Sequence, residues 1–158
     1  MKNIKFSRLF AAMLFVACLA LTACQQQPAE SPKKIEGTWV NSAEKYVITS
    51  SKYDNYFGSN GNYTLYYSTT DVDISEINGT SGFVYGKFND ASHIGFGAKV
   101  GQWYALYYYD LTETSVKFVQ AWKAGGKAGC DTLAEAKSEY TIANGYFPTS
   151  NPSTCTKK

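Results

Sequence analysis

QWYALYYYDLTETSVKFVQAWK, residues 102–123, has the pattern of two β-strands joined by a turn. Gln102–Tyr109 is almost wholly aromatic and aliphatic, Asp110–Thr114 is rich in turn formers, and Ser115–Lys123 alternates. Successive side chains of a strand point to opposite faces, so Lys117 and Lys123 share one face while Val116, Phe118, Gln120 and Trp122 share the other. The lysines belong in water, which turns the second set toward a core. Gln120 is then a polar group on an apolar inner face and needs a hydrogen-bond partner or a ligand. The first arm offers two strips, Tyr104, Leu106 and Tyr108 or the opposite Trp103, Tyr107 and Tyr109, and either fits the lining of a cavity. Trp103, Tyr107, Tyr109 and Gln120 form the candidate ligand-binding set.

Upstream, the chain from Ile35 keeps the same character: aromatic and β-branched runs broken at short intervals by Gly, Asn and Asp. Further strands are expected at 35–41, 45–49, 53–57, 62–69, 72–77, 82–88 and 94–99. Ser59-Asn60-Gly61, Ile77-Asn78-Gly79 and Phe88-Asn89-Asp90 supply turn residues that tolerate positive φ. Asp131–Tyr140 breaks the pattern. Asp131 or Thr132 stands where a helix cap is needed, Glu135 where a capping box wants an acid, and Leu133, Ala136 and Tyr140 share a face. A last edge strand is expected at 141–147, before Pro148. The fold class is all-β, mainly antiparallel: a small barrel of about eight strands with one short C-terminal helix, or a two-sheet β-sandwich.

The first residues read as an address. Lys2, Lys5 and Arg8 precede the apolar run Leu9–Leu21, too short for a mature membrane span and suited to a secretory signal. Leu21-Thr22-Ala23-Cys24 closes it and resembles the lipobox of bacterial lipoproteins. That resemblance implies cleavage after Ala23, diacylation of the Cys24 Sγ and acylation of the new amino terminus. Multiple acyl chains hold a protein firmly on a membrane. The expected organisation is a signal peptide at 1–23, a disordered tether at 24–34 (QQQPAESPKK after Cys24, about 35 Å when extended) and one folded domain at 35–158. The expected location is the bacterial cell envelope, on the outer membrane, the periplasmic face or the cell surface.

Lys33–Val40, KKIEGTWV, begins that domain and contains Gly37-Thr38-Trp39. Gly-x-Trp in a first strand, followed by antiparallel strands and a late helix, resembles the lipocalin and wider calycin family. In that family the glycine permits a sharp bend, the tryptophan plugs the closed end of the barrel, and the open end holds a small apolar ligand. The resemblance implies structural roles for Gly37 and Trp39 at a barrel floor. Lipocalins lay an arginine of the last strand over the tryptophan; the chain has none after Arg8, and Lys123 is the expected partial substitute. No Thr-Asp-Tyr-like second motif follows.

Charge and chemistry exclude other classes. The net charge of +2 includes the basic leader, so the domain is close to neutral, and without arginine it lacks the planar fork that grips phosphate or guanine. No nucleic-acid partner is expected. Cys18 lies in the leader and the lipobox resemblance implies lipid on Cys24, leaving Cys130 and Cys155, which in an oxidising compartment suggest one disulfide worth up to about 3 kcal/mol; a metal pair is the alternative, with no histidine near either cysteine. His93 is the single histidine and sits in a loop with no hydrolase or metalloprotease motif around it. Asp71-Val72-Asp73 puts two carboxylates on one strand face without the further oxygens that Ca²⁺ needs, and Gly95–Gly101 lacks the strand-to-helix context of a phosphate loop. The expectation is a monomer with no catalytic residue, metal or cofactor. It is a membrane-anchored lipoprotein that binds a small apolar or amphipathic ligand, or one that contacts a protein or glycan through exposed aromatics among its thirteen tyrosines.

Overall fold

Eight antiparallel strands follow one another around a closed barrel in chain order. They are β1 Gly37–Val40, β2 Glu44–Ile48, β3 Tyr53–Ser59, β4 Asn62–Asn78, β5 Ser81–Asp90, β6 Trp103–Tyr109, β7 Ser115–Gln120 and β8 Ser153–Lys157, with helix α1 Leu133–Glu139 between the last two strands. The computed structural model describes residues 33–91, 93 and 97–158. The expected signal peptide, the expected lipidation site Cys24 and most of the expected tether lie outside the described residues. The closing contact pairs β1 with β8, Trp39 opposite Lys157 and Val40 opposite Thr156. That pairing removes both sheet edges and excludes the two-sheet sandwich.

Alternation builds the interior. In β2 Glu44, Tyr46 and Ile48 are buried, and Lys45 and Val47 lie between them on the outer face. Asn60 and Gly61 both take positive φ, 52° and 85°, and so form the two-residue β3–β4 turn whose twist matches the flanking strands. Because all neighbours are antiparallel, the connections alternate between two ends. The entry at Lys33–Glu36 shares one end with the β2–β3, β4–β5 and β6–β7 turns; the other end carries the β1–β2, β3–β4, β5–β6 and β7–β8 connections.

Trp39 fills the entry end. It is fully buried, its indole Nε1 donates to the Ile35 carbonyl at 2.8 Å, and Phe118 meets it edge-on at 6.4 Å. The cation over it is Lys157 of β8, with Nζ 5.1 Å from the ring; Lys123 instead stands 4.4 Å over Tyr146. The expected role of Lys123 is therefore corrected. It lies beyond the end of β7, whereas β8 carries Lys157 directly opposite Trp39. Gly37 makes the approach possible: at φ +141° it occupies a region that favours glycine, and a Cβ there would lie 2.9 Å from the Lys157 Cε.

Several boundaries differ from the sequence reading. The strands expected at 62–69 and 72–77 are one 17-residue strand, β4, bent by bulges at Thr70/Asp73, where Asp71 takes φ 55°. The bulge separates the two acids: Asp71 pairs with Lys87 at 3.6 Å and Asp73 with Lys137 at 2.8 Å. Phe88-Asn89-Asp90 continues β5 instead of turning. The expected strand at 94–99 falls partly outside the described residues, and Gly97–Lys99 is not extended into a ladder. Closure comes from β8, while 141–147 is irregular and lays Phe147 over the outer face, 5.3 Å from Phe83 and 5.6 Å from Tyr107. The helix matches its signals: Thr132 caps it by accepting from Glu135 N at 3.1 Å, the Glu135 carboxylate accepts from Asp131 N at 2.9 Å, and Ala136 and Tyr140 are fully buried.

The expected disulfide is not formed; Cys130 and Cys155 are both buried free thiols. Cys155 stands opposite Val116, at the end of the β6–β7 hairpin near Asp110, while Cys130 bridges Trp103 at the other end of β6. A seven-residue strand spans about 20 Å, and bridged cysteines need Cα atoms within about 7 Å. The hairpin between them keeps the two apart.

Candidate functional site

The end opposite Trp39 holds a cavity of ≈ 460 Å³ bounded by Tyr66, Tyr104, Gln120 and the segment Ala121–Ala128. Tertiary contacts shape that segment. Trp122 N donates to the Tyr146 carbonyl at 2.8 Å, Lys127 N to the Tyr146 hydroxyl at 2.7 Å, and the Tyr140 hydroxyl to the Lys127 carbonyl at 3.3 Å. Gly126 permits the close approach, because a Cβ there would lie 2.8 Å from the Tyr146 hydroxyl. Tyr104 ties the segment to β6 by donating to the Ala121 carbonyl at 2.8 Å. Trp122 is 51% exposed and stands at the lip instead of continuing the inner face of β7, which ends at Gln120.

Of the two strips in β6, Tyr104, Leu106 and Tyr108 face inward. Tyr104 stacks on Phe88 at 5.1 Å and meets Tyr67 edge-on at 5.9 Å inside the barrel. Trp103, Tyr107 and Tyr109 occupy the outer face. Tyr107 stacks on Tyr109 at 5.5 Å and packs against Phe83 at 5.2 Å, and Trp103 exchanges two backbone hydrogen bonds with Cys130. Of the candidate ligand-binding set, only Gln120 reaches the cavity. The outer strip is aromatic because α1 and the stretch to Phe147 cover it, so both faces of β6 are buried and periodicity gives no contrast.

A polar chain leads inward from the cavity. Gln120 donates from Nε2 to the Tyr46 hydroxyl at 3.3 Å and to Asn55 Oδ1 at 3.4 Å. Tyr46 donates to Glu44 Oε1 at 3.1 Å, and the Ser153 hydroxyl donates to Glu44 Oε2. Glu44 is 8% exposed, and its two carboxylate oxygens accept from Tyr46 and Ser153. Burial, and then the charge of Glu44, hold the Tyr46 phenol well above its ordinary range. Burial does the same to Tyr53, Tyr67 and Tyr104, so all four are neutral hydroxyls at physiological pH.

Among the described residues, the hydroxyls of Tyr53 and Tyr67 and the Asn55 Nδ2 are buried without a partner in hydrogen-bond geometry. Tyr53 and Tyr67 meet edge-on at 5.6 Å, and burial above all raises both phenols. All three residues are fully buried, and Asn55 stands directly opposite Tyr67 in the β3–β4 ladder.

His93 is exposed, with its ring 6.3 Å from that of Tyr66. Among the described residues no group of three or more His, Cys, Asp or Glu is gathered where a metal ion could sit. The chain matches no protein-family model, no curated protein and no solved structure.

The sequence reading missed Asn55, Glu44, Ser153 and the 121–128 segment. Asn55 was open to discovery, since it shares a face with Tyr53 in an expected strand. Glu44 lay one residue before the strand expected at 45–49, which hid its parity with Tyr46. Ser153 enters only through the β8 closure, for which the sequence offers no signal.

Proposed function

We propose that the protein is a membrane-anchored envelope lipoprotein, non-enzymatic, whose barrel binds a small apolar or amphipathic molecule at the end opposite Trp39. The observation that carries this reading is the ≈ 460 Å³ cavity between Tyr66, Tyr104 and the Ala121–Ala128 segment, with Gln120, Lys123 and Lys127 in its lining. Its volume lies in the range of small-molecule sites, and its walls combine aromatic rings with a few polar groups that fix orientation. Trp39 under Lys157 at the opposite end, with Gly37 at its bend, supports the resemblance to lipocalins. Among the described residues the chain enters the barrel at the Trp39 end, away from the cavity.

The test is native mass spectrometry of the full chain released from its own envelope. A co-purifying mass of a few hundred daltons that leaves on gentle activation is the expected result, together with an acylated Cys24 in the intact mass. A chain free of bound mass that also fails to take up any apolar or amphipathic compound would refute the binder. A second reading, contact with a protein or glycan, draws on Trp122, exposed at the lip. It predicts loss of partner capture in Trp122→Ala with an unchanged small-molecule complement.

A further inference from the structure

Gln120–Ala128 supplies all of the cavity lining except Tyr66 and Tyr104, so the cavity lasts only while this strap stays docked. We infer that α1 and the stretch after it form the latch for the strap, and that Tyr146, Glu135 and Glu139 are positioning residues that set the affinity of the cavity without lining it. This rests on the binding role proposed above and names what controls that site.

Three observations carry it. First, the strap is fixed to β6 at its two ends. Ala121 N donates to the Ala105 carbonyl at 3.1 Å, the Tyr104 hydroxyl donates to the Ala121 carbonyl at 2.8 Å, and Cys130 exchanges backbone hydrogen bonds with Trp103 at 2.7 and 2.9 Å. Second, Tyr146 grips it between those ends. Its carbonyl accepts from Trp122 N at 2.8 Å, its hydroxyl accepts from Lys127 N at 2.7 Å, and that hydroxyl donates to Glu139 Oε1. Third, two charge pairs share one register. Gly126 N donates to the Lys123 carbonyl at 3.1 Å and Gly125 takes φ 69°, closing a turn between Lys123 and Lys127. Glu135 and Glu139 stand one helical turn apart on α1, the first hydrogen-bonded to Lys127 and the second 4.0 Å from Lys123. Little apolar burial reinforces these contacts, because Ala124, Gly125, Gly126, Ala128 and Gly129 carry almost no side chain and Trp122 is 51% exposed. Each hydrogen bond and ion pair is weak on its own. A strap held in this way opens measurably, and the affinity of the cavity falls with the fraction that is docked.

The experiment compares the full chain, held in an amphipathic polymer at neutral pH, with a double variant carrying Glu135→Gln and Glu139→Gln and a triple variant that adds Tyr146→Phe. Glutamine preserves the helix cap, since its side-chain oxygen can still accept from Asp131 N. Hydrogen exchange follows the amides of residues 122–129 in the empty protein. Native mass spectrometry follows uptake of N-phenyl-1-naphthylamine, an uncharged probe that the removed charges do not attract. The triple variant is expected to exchange at least about ten-fold faster at 122–129 and to bind the probe at least about five-fold more weakly. Exchange in β4 and β5 is expected to stay unchanged, which separates release of the strap from global unfolding. Raising salt from about 0.02 M to about 1 M screens exposed pairs, so it is expected to speed exchange of the strap in the unaltered chain and to have little effect in the double variant. If the triple variant does not fold, the double variant carries the same comparison.

Unchanged exchange at 122–129 in the folded variants would overturn the latch and leave the binding role standing. Faster exchange with unaltered probe affinity would overturn its control of the cavity, and so would weaker binding without faster exchange. Equal salt dependence in the unaltered chain and the double variant would overturn the assignment of Glu135 and Glu139. Failure of the unaltered chain to take up the probe or any other apolar compound, with exchange accelerated in the variants, would sink the binding role and leave the latch standing.

Discussion

Replacing Gly86 with alanine tests which face of β5 lines the barrel. Gly86 is buried opposite Tyr104, and an added Cβ would lie 2.3 Å from Thr69 Oγ1, 2.7 Å from Thr69 Cβ and 2.9 Å from Tyr53 Cε1. Thr69 cannot swing aside freely. Its hydroxyl donates to the Tyr53 carbonyl at 2.9 Å and accepts from Tyr53 N at 3.1 Å, sealing the β3–β4 ladder at a point where β4 bulges against β5. Overpacking of this kind costs about 1–3 kcal/mol, and stripping partners from buried polar groups about 1–3 kcal/mol more. The expected loss is about 2–6 kcal/mol, or a fall of about 8–25 °C in melting temperature for a domain of this size. Thermal and urea unfolding, followed by far-ultraviolet dichroism and by tryptophan emission, measure it. Gly79→Ala is the control: no heavy atom lies within 4 Å of its added Cβ, and it is expected to change stability by under about 1 kcal/mol, toward stabilisation. Equal melting temperatures for the two variants would refute the register of β5 and place Gly86 on the outer face.

Two further predictions concern thiols and acid. Burial pushes the Cys155 thiol up to about 12 from an ordinary value of 9.0, and burial also raises Cys130. At pH 8 the Cys155 thiolate fraction is then about a thousand-fold below that of an ordinary thiol. Alkylation is expected to be slow in the native protein, with both Cys130 and Cys155 modified rapidly in guanidinium without reductant; a resistant pair that needs reductant would restore the disulfide. In acid, burial works to raise the Asp73 carboxyl, but hydrogen bonds from Lys137 and Ser75 prevail and hold it below its usual range, and the hydrogen bond from Lys127 does the same for Glu135. Carboxyls depressed by folding contribute stability that is complete above their unfolded values and lost as pH falls through their folded ones. The urea midpoint is expected to be flat from about pH 5 to pH 8 in this respect and to decline below about pH 4. Asp73→Asn should decline less steeply, and an identical acid limb would remove Asp73 as a contributor.

The hairpin at 102–123, the Asn60-Gly61 turn and the capped helix were all legible because each rests on local chemistry: strand alternation, residues tolerant of positive φ, and a side chain that accepts from free amides. The polar status of Gln120 was legible for the same reason, since a glutamine on an apolar face announces a need for a partner. The face of β6 was not. Trp103, Tyr107 and Tyr109 alternate with Tyr104, Leu106 and Tyr108, both strips are apolar, and only the covering of the outer strip by α1 and Phe147 reveals which is inside. Cys130 and Cys155 show the opposite failure, in which a chemical rule about compartments suggested a bond that strand register forbids.

By itself the sequence determined an antiparallel β domain, a late helix, a leader that resembles a lipoprotein signal, and the need for a polar partner at Gln120. These follow from interactions between residues close in the chain, whose energetics composition and spacing express directly. Tertiary structure alone decided that β8 closes the barrel against β1, that Lys157 and not Lys123 covers Trp39, and that Glu44, Tyr46, Asn55 and Gln120 converge on one chain of hydrogen bonds. Those contacts join residues as far apart in the chain as Trp39 and Lys157. Their register is fixed by which faces the whole barrel buries, a balance of burial and closure that no short stretch contains.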